Sequence, residues 1–471
     1  MPRRQKTGIL RRVWNGLFAA GDALRPIVNK IVRVASGDRA YFDAADSNRY
    51  TANHFAAAGA ADINTIIRAD IATLRKWCRY EAHNNSYGRG IVETLANDIV
   101  GLGPRAQVTI PGSTDTTESQ RIEDAWTDWC EGCDADGRLS FGEMLNLGVK
   151  QCPASGESFQ VMVNDPQVTR RQVSLRLRLI ESDRVITPFD QFGKPNLRDG
   201  IRFDDNGRPT HYIVLKTHPG DTSRITLTNP AAYDEVPIDK MVHIYRLDRP
   251  GQNRGIPWFA TSLLPLAHLR RYTLATVTAA ERAASLSAIV YTTLPGVDVA
   301  EKEGFDEFEI PHDSLMTLPA GYQMEAFNPS QPTATYKGFK GEMLNEIGRG
   351  QSMPYNVVAG NSSGYNYASG RLDWQTYFRM IRTYQAWLSR LCRKVFVAWY
   401  AEYLVTSNIT NITAIGRTAW PEVKWYWPGY EHVDPVKEAN AQRIRLNSLT
   451  TTLEDEWAVK GQDWMRKVIQ I

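Results

Sequence analysis

Apolar residues recur at helical spacing through much of the first half of the chain. Ile66, Ile67, Ile71, Leu74 and Trp77 share one face of a helix predicted over 63–80. A second helix over 90–100 is stopped by Gly101-Leu102-Gly103-Pro104. A strand at 106–110 and a polar linker at 112–118 follow. Helices over 121–130, with Ile122, Trp126 and Trp129 on one face, and over 141–151 come next. The period then shortens to two. Runs at 158–163, 174–180, 200–203, 211–216 and 241–245 read as strands. Asp205-Asn206-Gly207 and His218-Pro219-Gly220 are turns between them.

After residue 255 helices return. Ser262 can cap a helix that tolerates Pro265 in its first turn and runs to about residue 287. Its second half is nearly all small: Ala275, Thr276, Thr278, Ala279, Ala280, Ala283, Ala284 and Ser285. Such a face fits a close helix–helix contact with another subunit. Residues 289–336 read as a compact insert of short strands around one short helix. A last region holds a strand at 423–427 and helices at 435–448 and 452–469.

The chain is organised around 337–404. Phe339, Met343, Leu344 and Ile347 predict a helix over 337–351. Residues 353–369 form a loop with no charged residue. A helix over 371–404 then carries Trp374, Phe378, Ile381, Tyr384, Leu388, Leu391, Val395 and Trp399 on one stripe, and would be roughly 50 Å long. The whole is a hairpin able to reach into a space. Taken together the pattern is α+β and mainly helical.

Composition narrows the class. With 471 residues, 42% apolar and 23% charged, the chain is an ordinary globular sequence. A net charge of +3 decides nothing about nucleic acid, and five scattered cysteines fit a reducing compartment. No apolar run reaches the length of a membrane span. The first 33 residues stand apart, with eight basic side chains against Asp22 alone. Residues 1–39 read as a solvated basic arm.

Catalytic patterns are weak. Cys130-Glu131-Gly132-Cys133 has metal-ligand spacing without a second pair, so structural thiols are the better reading. A metal-dependent nuclease would have to use Cys130 to Asp136. Gly360-Asn361-Ser362-Ser363-Gly364 matches the nucleophile-elbow pattern, so the alternative function is a serine hydrolase using Ser362 with Asp373 and His432. An elbow requires a strand before the serine and a helix directly after it. Asp134-Ala135-Asp136-Gly137 begins like a calcium loop and lacks the later ligands. The sequons at Asn408 and Asn411 have no secretory route. No phosphate loop is present. The chain reads as a non-enzyme with no cofactor and no metal.

A collinear series of short motifs remains. It runs Asn84-Asn85-Ser86-Tyr87-Gly88-Arg89-Gly90, Val100-Gly101-Leu102-Gly103, Trp126-Thr127-Asp128-Trp129, Gly156-Glu157-Ser158-Phe159 and Ile180-Glu181-Ser182-Asp183-Arg184. Gly207-Arg208-Pro209, His243, and the block from Arg249-Pro250-Gly251-Gln252 through Arg254-Gly255 to Pro257-Trp258 follow. Asn366-Tyr367-Ala368-Ser369-Gly370-Arg371 and Asp434-Pro435-Val436-Lys437-Glu438-Ala439 end it. In this order they resemble the lambda-type family of tailed-phage portal proteins, over roughly 40–440. Ala368 and Gly370 depart from the usual Ser and Ala, which bears on how the long helix starts. Relatives often continue beyond the last helix, so a tail function is expected to be missing.

The resemblance implies a closed ring of identical subunits, typically twelve, at one capsid vertex of the virion, assembled in host cytoplasm. Its channel conducts double-stranded DNA, without sequence preference, during packaging and ejection. Partners implied are the large terminase subunit, major capsid and scaffold proteins, and head-completion or adaptor proteins, with no membrane. It also names segments: wing at 40–255, stem at 256–288 and 337–352, clip at 289–336, tunnel loop at 353–369, a channel or wing helix at 370–404, and crown at 405–471. The missing charge suits a loop that meets moving DNA, because each Lys or Arg on a phosphate adds a salt-dependent grip. Tyr355, Asn361, Ser362, Ser363, Tyr365 and Asn366 are the expected DNA-facing residues. Arg270, Arg271, Glu281 and Arg282 are the stem residues expected at the channel or between subunits; Arg270 and Arg271 are expected to line the channel or to pair with Glu281 or a neighbouring subunit's acid, and pairing across subunits is the preferred reading. The basic side of the long helix (Arg379, Arg382, Arg390, Arg393, Lys394) reads as a solvated face, and contact with capsid or DNA is its second reading.

Overall fold

A computed structural model describes residues 59–112, 116–167, 172–221, 232–285, 288–292, 322–326, 335–407, 420–429 and 435–460, with single residues 54, 464 and 468. The chain divides into two compact units, 1–62 and 63–471, and the second holds every element below. The basic arm lies outside the described residues, as do most of the insert (293–321) and both sequons.

Helix α1 spans Ile63–Asn84 and α2 spans Ser86–Ile99. Asn85 separates them because its side chain accepts from the Tyr87 and Gly88 amides, which caps α2. Strand β1 is Arg105–Thr109, α3 is Thr116–Glu131 and α4 is Phe141–Ser155. A reciprocal Ser140–Glu143 box starts α4, and Gly156 ends it in the left-handed conformation.

The period-2 region forms two antiparallel sheets. β2 (Glu157–Asn164) lies between β3 (Leu175–Ile180) and β8 (Met241–Tyr245). The second sheet runs β4 (Leu197–Arg198), β5 (Ile201–Phe203), β6 (Pro209–Leu215), β7 (Tyr233–Pro237). Two of its strands, β4 and β7, are too short or too charged to show in the pattern.

Helix α5 is Leu263–Ser285 and α6 is Thr335–Gly350; β9 (Ala288–Thr292) and β10 (Tyr322–Ala326) pair antiparallel between them. α5 and α6 run antiparallel: Tyr272 stacks on Tyr336 at 5.6 Å, and the Ser262 hydroxyl donates to the Ile347 carbonyl at 3.1 Å. A short helix α7 covers Tyr355–Ala359, and α8 covers Tyr367–Thr406, 40 residues or ~60 Å. The uniform loop expected over 353–369 is thus shorter at both ends. β11 (Glu422–Tyr426) pairs antiparallel with β1, so a strand from the segment expected as crown completes the body of the fold. α9 (Pro435–Asn447) and α10 (Leu453–Val459) follow.

Trp126 sits at the centre of the main core. Its ring lies 4.9 Å from Trp129, 5.1 Å from Phe396, 5.2 Å from Trp399 and 5.5 Å from Phe141. The α3 aromatic face and the C-terminal half of α8 therefore bury each other. Tyr377 and Ile381 extend the burial toward the other end of α8, whereas Trp374 stays partly exposed. The Tyr377 hydroxyl donates to Asp98 on α2 at 2.7 Å. Among the described residues, no helix is long and apolar enough to cross a membrane.

Candidate functional site

The loop between α6 and α8 is held from below. Gln351 donates through Nε2 to the Trp258 carbonyl at 2.9 Å and to the Ser262 hydroxyl at 3.1 Å. Trp258 stacks on Tyr384 of α8 at 5.1 Å. Arg246 lies 5.4 Å over the Trp258 ring and donates to the Tyr384 hydroxyl. The Arg249–Trp258 block thus ends in a ring clamped between α8 and the exit of α6.

The six expected loop residues separate into two groups. Asn361, Ser362 and Ser363 are exposed at the tip, where the Asn361 side-chain oxygen accepts from the Ser363 amide at 2.9 Å and the Tyr365 amide donates to the Ser362 carbonyl. Of the others, Tyr355 and Tyr365 are half-buried and Asn366 is exposed. Tyr355 opens α7, half-buried against Gly341 of α6. Asn366 is the N-cap of α8 and accepts from the Ser369 amide at 2.8 Å. Tyr365 is half-buried, and its phenol is raised by desolvation and by a hydrogen bond to Asp373. A cation that the local sequence does not reveal approaches from elsewhere: Lys437 of α9 lies 5.5 Å over the Tyr367 ring.

The stem residues are dispersed. Arg270 lies 5.4 Å over the Tyr80 ring, and Arg271 is exposed. Glu281 sits about 16 Å farther along the same helix, so neither arginine pairs with it. The pairing expected within α5 is therefore corrected. The Arg282 side chain lies outside the described residues.

Tyr355–Ala359 is helical where an elbow needs a strand, Asp373 engages Tyr365, and His432 lies outside the described residues. Among the described residues the nucleophile-elbow geometry around Ser362 is not formed. Burial raises the Cys130 and Cys133 thiols, Cys133 to about 12. Asp134 accepts from the Asp136, Arg138 and Leu139 amides, which makes it a turn residue. Among the described residues one group of three ligand types gathers, Glu181, Asp183 and His218, away from the Cys130 segment. Arg79 already pairs with its Asp183.

The motif series carries something the sequence does not display. Glu157, fully buried, accepts from Arg254 Nε at 2.8 Å and Nη2 at 2.5 Å, from Arg75 Nη2 at 2.5 Å, from His243 Nε2 at 2.9 Å and from the Gly255 amide at 2.8 Å. Arg254 also donates to the Val185, Asp199 and Ser182 carbonyls. Burial alone would raise the Glu157 carboxyl; Arg254, Arg75 and the His243 hydrogen bond reverse this and hold it far below the usual range. Burial pushes His243 below its ordinary value; the Glu157 hydrogen bond and charge oppose this, and the two guanidiniums add to it. Gly156 and Gly255 meet back to back: a Cβ on Gly255 would fall 2.2 Å from the Gly156 carbonyl oxygen. Gly156-Glu157, Ser182, His243 and Arg254-Gly255 are all motif residues. Arg75 gave no sequence signal.

The description "Phage portal protein, lambda family" matches residues 49–385, from before α1 into α8 and across both the node and the loop. The chain belongs to this family. The probable portal protein of Halomonas phage phiHAP-1 is 25% identical over 479 residues, covering 97% of this chain and 90% of that protein. Portal protein B of Escherichia phage lambda is 21% identical over 433 residues, covering 81% and 79%. Among solved structures, a chain in the neck of a native gene transfer agent particle aligns with TM-score 0.48 and 16% identity, over 80% of this chain and 88% of that one. An HK97 family portal protein from Corynebacterium diphtheriae aligns with TM-score 0.31 and 11% identity, over 64% and 85%.

Proposed function

We propose that this portal protein assembles into a cyclic ring, of about twelve subunits by family analogy, at a single capsid vertex, and that double-stranded DNA passes through its centre in packaging and ejection. The terminase motor docks first, and head-completion proteins follow. The protein acts as a structural conduit and not as an enzyme. In this reading the body of 40–255, with β11 added to it, is the wing, α5 and α6 are the stem around a clip at 289–336, residues 353–369 are the tunnel loop, 370–404 is the channel or wing helix, and the rest of 405–471 is the crown.

The observation that carries the reading is the tip Asn361–Ser363. It is exposed, uncharged, and held between two helices anchored on the Trp258 clamp. Hydroxyl and amide groups meet phosphate without the counterion-release affinity of a cation, so many copies around a channel touch DNA without arresting it. Ser362→Lys with Ser363→Lys keeps ring assembly, read by native mass spectrometry, and impairs DNA packaging. Unchanged packaging yield would remove the tip from the DNA path.

A further inference from the structure

α8 carries five arginines besides its partly buried lysine: Arg371, Arg379, Arg382, Arg390 and Arg393. All five are exposed. At about 100° per residue they fall within an arc of about 100°. The acids of the helix, Asp373 and Glu402, lie on the other side of it. Asp373 bonds Tyr365, and Glu402 accepts from the Ser174 and Leu175 amides. Among the described residues none of the five arginines forms an ion pair with a carboxylate. Lys394, next in sequence, turns inward and donates to the Ile238 and Met241 carbonyls.

The spacing is regular. Arg371, Arg382 and Arg393 are separated by eleven residues, as are Arg379 and Arg390. Eleven residues is three turns, about 16.5 Å. A duplex with a turn of about 34 Å presents its two backbones along one side once each per turn, so on average every ~17 Å. The exposed residues between the arginine pairs are Thr383 and Ala386. A protein-docking surface is normally built on buried aromatic or aliphatic anchors; the middle of the stripe has none, and the exposed apolar side chains Leu372 and Val397 lie at its two ends. We infer that the arginine stripe of α8 binds the phosphate backbones of duplex DNA laid along the helix, as a second contact separate from the neutral tip. A salt-sensitive grip suits a held duplex, whereas the tip suits a moving one. The inference does not depend on whether the tip meets DNA.

The test compares the full chain with Arg379→Gln/Arg382→Gln/Arg390→Gln/Arg393→Gln, since Gln preserves helix propensity. Binding of a fluorescent duplex of about 20 bp is followed by anisotropy at several salt concentrations. Four lost phosphate contacts reduce the slope of log K against log salt by about 3 to 4 and weaken binding at least about tenfold at about 50 mM salt. If the fourfold variant misfolds by circular dichroism, Arg382→Gln/Arg393→Gln is read instead, with an expected slope change of about 1.8. Equal slopes, or no binding by the unaltered chain, overturn the inference. Unchanged DNA binding with lost oligomer assembly also overturns it and assigns the stripe to a protein contact. The readout uses no packaging assay, so its failure is distinguishable from failure of the tunnel-loop reading.

Discussion

Arg254 and Glu157 are 97 positions apart and share a fully desolvated ion pair, with Nε and Nη2 of the arginine both donating to one carboxylate oxygen. The pair joins the turn after β8 to the first residue of β2. Through Arg75 it also fixes α1, and through the Val185 and Asp199 carbonyls it ties down the approach to the second sheet.

Removing the carboxylate leaves two guanidiniums buried without their partner. Glu157→Ala should lower folding stability by about 3–5 kcal/mol, measured by denaturant unfolding. A variant within about 1 kcal/mol of the natural chain would show that water or another acid replaces it.

The node makes stability depend on pH in two steps. His243 has its folded pKa lowered, so the unfolded chain binds its proton first. Stability is lost as pH falls below the unfolded histidine value of about 6.5. Glu157 is also depressed; its contribution is present above about pH 4.3 and is lost as pH falls further. Denaturant midpoints should drop from pH 7 to 5 and again below pH 4. His243→Gln should flatten the first drop only.

The contact between Gly156 and Gly255 leaves no room for a methyl group. Gly255→Ala should cost about 1–3 kcal/mol from overpacking, with the same unfolding measurement as readout. A neutral result would mean that the two backbones separate easily.

The start of α8 depends on one side chain. Asn366→Ala removes the oxygen that accepts from the Ser369 amide and should cost about 1 kcal/mol. Amide exchange at Ala368–Gly370 should speed up while the buried core around Trp399 keeps its protection.

The outer face of α5 exposes Leu274 at 58% and Val277 at 49%. If that face meets the next subunit, Leu274→Asp should shift native mass spectra from ring to monomer, because an unpaired charge would be buried at the contact. A ring of unchanged size would place the interface elsewhere.

The periodic segments were legible along the chain: α1, α3, α5, α6, α8 and strands β2, β3, β5, β6 and β8 follow from apolar spacing within a few residues, whereas β4 and β7 do not. The uncharged character of the tip was legible as well, because it is a property of composition. The node was not. Its members are charged residues scattered from position 75 to 255, and periodicity reports only which face of an element is apolar, not which distant charges meet. The motif residues marked the places without giving the reason.

The sequence by itself determined the local elements, the neutral tip and the 11-residue arginine repeat, because each depends on neighbours within a few turns. Only the tertiary structure decided that Glu157 is held as a carboxylate in the core, that Arg254 and Arg75 meet on it, and that β11 pairs with β1. Each of those requires groups far apart in sequence to approach within a few ångströms, and burial then sets their charge and hydrogen bonding.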